Sequence, residues 1–254
     1  MHSPADIDRL WDFAHPEQSE ARFRAALADA TGDPARVLRT QVARALGLQG
    51  RFDEATAELD AAGEGADLAP RVRVYLELER GRVLRSAGTG DPVAHFTAAL
   101  ETATEAGIDH LAVDAAHMLA ITLEGDEQIA MARRALAIAS ASGDPLARRW
   151  VASVTHNLGW TMHDLGRHDE ALTLWEQALT AREERAAAEG ESQAEPLRVA
   201  RWTVARGLRE VGRYAEALEI QLALAAAGPP DPYVDEELAE LAKLTPDPAC
   251  PPSQ

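Results

Sequence analysis

A chain of 254 residues with 46% hydrophobic content has ample material for a core, yet aromatic residues are only 5% of it and alanine is abundant. That balance suits close helix–helix packing and disfavours a sheet. The formal net charge of −17 excludes broad association with nucleic acid or with an anionic membrane surface.

Cys250 is the only cysteine, so no intrachain disulfide can form. The first residues lack a basic region followed by an apolar run, and no stretch is long enough to span a bilayer. A reducing cytoplasm is the expected compartment. Lys243 is the only lysine beside many arginines, a bias that with the alanine richness points to a high-GC bacterial genome.

Residues 6–13 are expected to form a short helix carrying Ile7, Leu10 and Trp11 inward, ended at His15 because the residue before Pro16 avoids the helical region. Pro16 then opens a helix striped by Phe23, Ala26 and Leu27. The tripeptide Gly-Asp-Pro occurs at 32–34, 90–92 and 143–145. In each copy Gly suits a left-handed helix end, Asp caps the next helix and Pro fills its first turn. A second phrase recurs as Gly50-Arg51-Phe52-Asp53-Glu54-Ala55, Gly166-Arg167-His168-Asp169-Glu170-Ala171 and Gly212-Arg213-Tyr214-Ala215-Glu216-Ala217. Here Gly permits positive φ, the ring-bearing residue packs back, and the acidic residue favours the start of the following helix.

The middle copy sits inside the most regular stretch, 151–183. Leu158, Gly159, Met162 and Leu165 are spaced to line one face of its first helix, and Ala171, Leu172, Trp175, Ala178 and Leu179 one face of its second. Small residues at Gly159, Ala171 and Ala178 allow close approach, and Trp175 fills the groove between the helices. This pattern resembles a tetratricopeptide repeat, a helix–turn–helix unit of about 34 residues. Leu158-Gly159 fall at the family's Leu-Gly positions, Ala171 and Ala178 at its alanines and Trp175 at its large apolar position; Met162 replaces the usual Tyr, and Glu183 the usual Pro.

The resemblance implies an all-α, right-handed α-solenoid of tetratricopeptide-like hairpins. Residues 1–32 are expected as N-terminal capping helices, and 33–228 as about five hairpins, near 33–62, 70–107, 108–143, 144–189 and 196–228. Residues 229–245 would form a C-terminal capping helix, which a solenoid needs to hide its last apolar face, and 246–254 a disordered tail.

The resemblance also implies that first helices line a concave groove for peptides. That mapping puts Gln41 and Arg44, Tyr75, Glu79, Arg82 and Arg85, Asp114, His117, Met118 and Ile121 on the groove side. From the last two hairpins it adds Ser153, His156, Asn157, Trp160, His163 and Asp164, then Val199, Trp202, Thr203, Arg206 and Arg209. Guanidinium forks suit carboxylates, and aromatic rings offer rigid apolar area. The expected function is therefore capture of an acidic or extended peptide, or a free carboxylate, on a partner protein. Arg82, Arg85, Arg206 and Arg209 would contact the anion, Asn157 the ligand backbone, and Trp160 and Trp202 its apolar side chains. The opposing reading pairs these arginines with neighbouring Asp and Glu as solvated ion pairs of little worth. The family's carboxylate clamp needs Lys, Asn, Asn, Lys and Arg across three hairpins, and only Asn157 matches it, so chaperone tails are disfavoured as partners.

Two alternatives compete. A sensor of a small ligand or peptide would act through a separate output partner, since about thirty residues precede the first hairpin, fewer than an output domain needs. A metal-dependent enzyme could use Asp114, His117 and His156, because imidazole and carboxylate on neighbouring helices suit one transition-metal ion. Against it stands the common structural His–Asp pair. No HExxH, CxxC, Walker, G-x-S-x-G or dinucleotide glycine motif occurs, so no catalytic residue or cofactor is assigned. Oligomeric state is not encoded in any motif.

Overall fold

The computed structural model describes residues 4–65, 67–190 and 194–244, so the expected tail at 246–254 and Cys250 lie outside the described residues. Among the described residues all regular structure is helical, and the chain divides into two compact units, 1–148 and 149–254.

The first unit contains α1 (Pro4–Leu10), α2 (Pro16–Ala28), α3 (Gly32–Leu48), α4 (Phe52–Gly63), α5 (Pro70–Ala87), α6 (Pro92–Glu105), α7 (Asp109–Ala120), α8 (Gly125–Ala141) and the short α9 (Pro145–Arg148). Helices adjacent in sequence pack as hairpins, α3 with α4, α5 with α6 and α7 with α8, and α3 also lies against α5. The second unit contains α10 (Trp150–Asp164), α11 (His168–Glu189), α12 (Ala194–Glu210), α13 (Tyr214–Ala227) and α14 (Pro232–Leu244). Here α10 pairs with α11 and α12 with α13, α11 packs on α12, and α14 closes against α13.

Close approach within a hairpin depends on a glycine facing a ring. A Cβ on Gly159 of α10 would lie 2.3 Å from Nε1 and 2.5 Å from Cδ1 of Trp175 on α11. Gly207 of α12 meets the other side of the same indole, its Cβ falling 2.9 Å from Cε3. Trp175 is only 1% exposed, and its Nε1 donates to the His156 carbonyl at 3.2 Å. Gly81 of α5 does the same for Phe96 of α6, with 2.4 Å from its Cβ to Cε1. These contacts fix helix spacing through hard repulsion, as close-packed interiors require.

The recurring turns share one geometry. Gly50, Gly166 and Gly212 adopt φ of 74°, 71° and 80°. The arginine after each reaches forward to the glutamate three residues on: Arg51 to Glu54, Arg167 to Glu170 and Arg213 to Glu216, each through two parallel bonds of 2.6–2.7 Å. The acidic residue thus clasps the turn as well as opening the helix, although solvent screening leaves exposed pairs of this kind little weight in stability.

Several local expectations need correction. The first helix ends at Leu10, not Phe13: Ser19 Oγ accepts from the Asp12 amide, the chain turns, and Trp11 stacks on Phe13 at 4.7 Å instead of continuing a helical face. Leu165 is 55% exposed, because it forms the C-cap of α10 where the helical face has ended. The three Gly-Asp-Pro copies are not equivalent. Asp91 caps α6 through the amides of Val93 and Ala94, and Asp144 accepts from Leu146, whereas Asp33 lies inside α3, whose N-cap is Thr31. Gly32 and Gly90 have positive φ and Gly143 does not.

Candidate ligand groove

In the first unit, the residues expected along the groove form a charged network drawn inward. Arg82 on α5 donates from Nη1 to Glu79 and from Nη2 to Asp114 of α7, both at 2.5 Å. Arg44 on α3 approaches Glu79 at 3.9 Å while its guanidinium lies 5.2 Å from the centroids of Trp11 and Phe13. Glu79 is fully buried, and burial raises its pKa against the opposing pull of Arg82 and Arg44. Asp114 is shifted the other way: burial would raise its pKa, but the charges of Arg82 and Arg44 outweigh burial and lower it. With one cation between two carboxylates, Arg82 has only 13% of its side chain exposed. Arg85 is exposed, and its Nη2 donates to the Ile121 carbonyl at 3.1 Å.

In the second unit the arrangement is more open. The guanidinium of Arg206 on α12 lies 5.7 Å from the ring centroids of both Trp160 on α10 and Trp202 on α12. Its Nη1 makes a 3.2 Å contact with Glu237 of α14, and 30% of its side chain is exposed. Arg209, one turn along, is held more tightly: Nε and Nη2 grip the two oxygens of Glu237 at 2.7 and 3.1 Å, and Nη2 also lies 3.1 Å from Glu210. Glu237 is itself 3% exposed, so the last helix inserts a carboxylate between two arginines expected to hold a ligand.

Trp202 is anchored by a 3.2 Å bond from Nε1 to the Tyr233 carbonyl, with the Tyr233 ring edge-on at 6.1 Å. Beside it a cleft of about 730 Å³ is lined by Arg198, Val199, Trp202, Tyr233 and the Gly228–Pro232 loop. A second hollow of about 250 Å³ shares Glu195 and Val199 with it and reaches His156 and Arg182. Asn157 is exposed on α10.

His156 is held neutral. Its Nε2 accepts from Trp160 Nε1 at 3.2 Å, which an imidazolium could not do, and burial, then the charge of Arg182, lowers its pKa. Within the alternative metal trio, then, Asp114 is engaged by Arg82 and His156 Nε2 by Trp160; Asp114 and His117 belong to the first unit and His156 to the second. The sequence reading missed a different juxtaposition. One ligand-type atom each from His163, His168 and Glu210 lies within 4.8 Å of the others. Its signal was available in the repeat alignment, where the ring position of the middle turn is His168 instead of Phe52 or Tyr214.

The geometry defines a class: a helical-repeat protein whose hairpins are spaced by glycine–aromatic contacts. Residues 151–185, spanning α10, its turn and most of α11, match the family model described as tetratricopeptide repeat, so this hairpin is a tetratricopeptide repeat. No curated protein matches its sequence.

Among solved structures, the chain is similar to BtubC (BKLC) from P. vanneervenii, at 18% identity and TM-score 0.60, covering 98% of this chain and 97% of that one. It is also similar to the signal-transduction ATPase PH0952 with a tetratricopeptide repeat sensor from Pyrococcus horikoshii, at 12% identity and TM-score 0.70; that match covers 91% of this chain and only 37% of the other. A third is NprR in complex with its cognate peptide NprX, at 15% identity and TM-score 0.51, covering 94% of this chain and 71% of that one. At these identities the likeness shows the fold, an all-α helical-repeat solenoid. No helix among the described residues is long and apolar enough to cross a membrane.

Proposed function

We propose that this protein is an interaction module that captures an extended peptide segment bearing carboxylates, and that the capture surface runs along α12 of the second unit. The observation that carries the proposal is Arg206, a partly exposed cation flanked by two indoles and, among the described residues, ion-paired with Glu237. A peptide carboxylate would compete with Glu237 for this guanidinium, while apolar peptide side chains rest on Val199, Trp202 and Tyr233, of which Val199 is 42% and Tyr233 67% exposed. Asn157 would serve the peptide backbone. Arg209, gripped by two carboxylates, holds α14 in place.

The net charge of −17 does not oppose this reading at short range. At physiological salt, charges beyond about 8 Å are largely screened, so the local arginine dominates once contact is made. Peptide binding by NprR, on a related fold, favours a peptide over a folded surface as the occupant. Peptide sensing is the second reading, and the movable element would be α14, whose Glu237 occupies the arginines until a ligand displaces it.

The test is a titration followed by tryptophan fluorescence, to which Trp160 and Trp202 at the site contribute, using acidic decapeptides with apolar residues at alternate positions and their lysine-substituted counterparts. The acidic set is expected to bind in the micromolar range, and Arg206→Gln to weaken it at least tenfold without changing the circular dichroism. Equal affinity for both peptide sets, or unchanged affinity in Arg206→Gln, would refute the assignment.

A further inference from the structure

The turn between α10 and α11 departs from its two sister turns in one chemical respect. Aligned on their glycines, the three turns place Gly47, His163 and Arg209 at the end of the first helix, and Phe52, His168 and Tyr214 at the start of the second. Only the middle turn has imidazole at both places. The two rings pack edge to face with centroids 5.2 Å apart. Glu210, the last residue of α12, completes the group, with one ligand-type atom from each residue inside 4.8 Å of the others.

Three further features suit a cation there. Nδ1 of His168 is buried and has no hydrogen-bond partner among the described residues, a cost that a bond from this atom to a metal would relieve. Nδ1 of His163 lies 3.4 Å from Asp164 Oδ1, the carboxylate-behind-imidazole arrangement that orients a ligating histidine. Glu210 has two carboxylate oxygens, and its contact with Arg209 uses Oε1.

We propose that His163, His168 and Glu210 bind one divalent transition-metal ion, with zinc the best match to two imidazoles and a carboxylate. Ligand atoms about 2.0–2.1 Å from a tetrahedral ion stand about 3.3–3.5 Å apart. Closing from 4.8 Å therefore takes side-chain rotations of about 1 Å, within reach of three half-buried groups at helix ends. The ion would tie the α10–α11 turn to the end of α12 and so brace two successive hairpins. A water molecule would fill the fourth position. The proposal is independent of peptide capture, because none of the three ligands lines the cleft beside Trp202.

The experiment is a cobalt titration of untagged, chelator-treated full-length protein, followed by visible absorption and zinc back-titration, with thermal unfolding measured in parallel. Expected are one cobalt per chain with the strong visible bands of four-coordinate cobalt, displacement by zinc, and a rise in the melting temperature with metal. His168→Phe, which installs the ring found in the first sister turn, and Glu210→Gln should each weaken binding at least tenfold while leaving the metal-free melting temperature nearly unchanged. His156→Gln should bind normally. Absence of binding at micromolar metal, or equal affinity in His168→Phe and Glu210→Gln, would overturn the proposal. So would loss of binding in Asp114→Asn with retention in His168→Phe, since that would place the ion elsewhere.

Discussion

Gly159→Ala sets two opposing magnitudes against each other at one atom. In a helix interior, alanine is favoured over glycine by about 1 kcal/mol. At this position the new methyl would meet Trp175 Nε1 at 2.3 Å and Cδ1 at 2.5 Å. The ring has little room to swing aside, because Nε1 is bonded to the His156 carbonyl and α12 closes the opposite face so tightly that a Cβ on Gly207 would lie 2.9 Å from Cε3. Overpacking of a core costs about 1–3 kcal/mol, and a rigid ring held between two helices puts this case at the upper end. The net effect is a loss of about 1–2 kcal/mol, equivalent to a fall of roughly 4–16 °C in melting temperature for a unit of this size.

Trp150, Trp160, Trp175 and Trp202 lie in the second unit and Trp11 in the first, so intrinsic fluorescence during thermal or urea unfolding is dominated by the second unit, and circular dichroism, which follows helices in both, reads the first. Gly47→Ala is the matched control. Its methyl would find only Val83 Cγ2 at an ordinary 3.6 Å, so the propensity gain of up to about 1 kcal/mol should survive. A melting temperature for Gly159→Ala equal to or above that of the parent would refute the packing argument, as would shifts of the same sign in both variants.

Asp114→Ala removes one of the two carboxylates on Arg82 and should destabilise the first unit by about 3 kcal/mol, the low end for breaking a buried ion pair because Glu79 remains. A loss below 1 kcal/mol in urea unfolding would show that the network carries little. Acidification should weaken the second unit through His156. Its folded pKa is lowered by burial and Arg182, so its stabilising contribution is complete above the unfolded value of about 6.5 and is lost as pH falls through the lower folded value. His156→Gln keeps an acceptor for Trp160 and should flatten the urea midpoint between pH 7.5 and 5; an unchanged slope would acquit His156. The Arg206→Gln titration and the cobalt titration test the two ligand assignments.

Much of the helical architecture was legible in the chain itself. The period of Leu158, Gly159 and Met162 against Ala171, Trp175 and Ala178 identifies a close-packed hairpin, because helix geometry ties sequence spacing to a face. Turn glycines at 50, 166 and 212 were equally readable, since positive φ selects glycine. Helix ends were less so: Trp11 and Leu165 fit a helical period that tertiary hydrogen bonds and capping had already ended.

At the candidate groove, sequence placed Trp160, Trp202, Arg206 and Arg209 on first helices, but it could not say where their charges were spent. That depends on residues far along the chain, Glu237 against Arg206 and Arg209, and Asp114 against Arg82. The same holds for Glu210, which reaches His163 and His168 only because α12 packs on α11. Local spacing assigns a side chain to a face, whereas pairing across helices is decided by packing, and only the tertiary structure contains that.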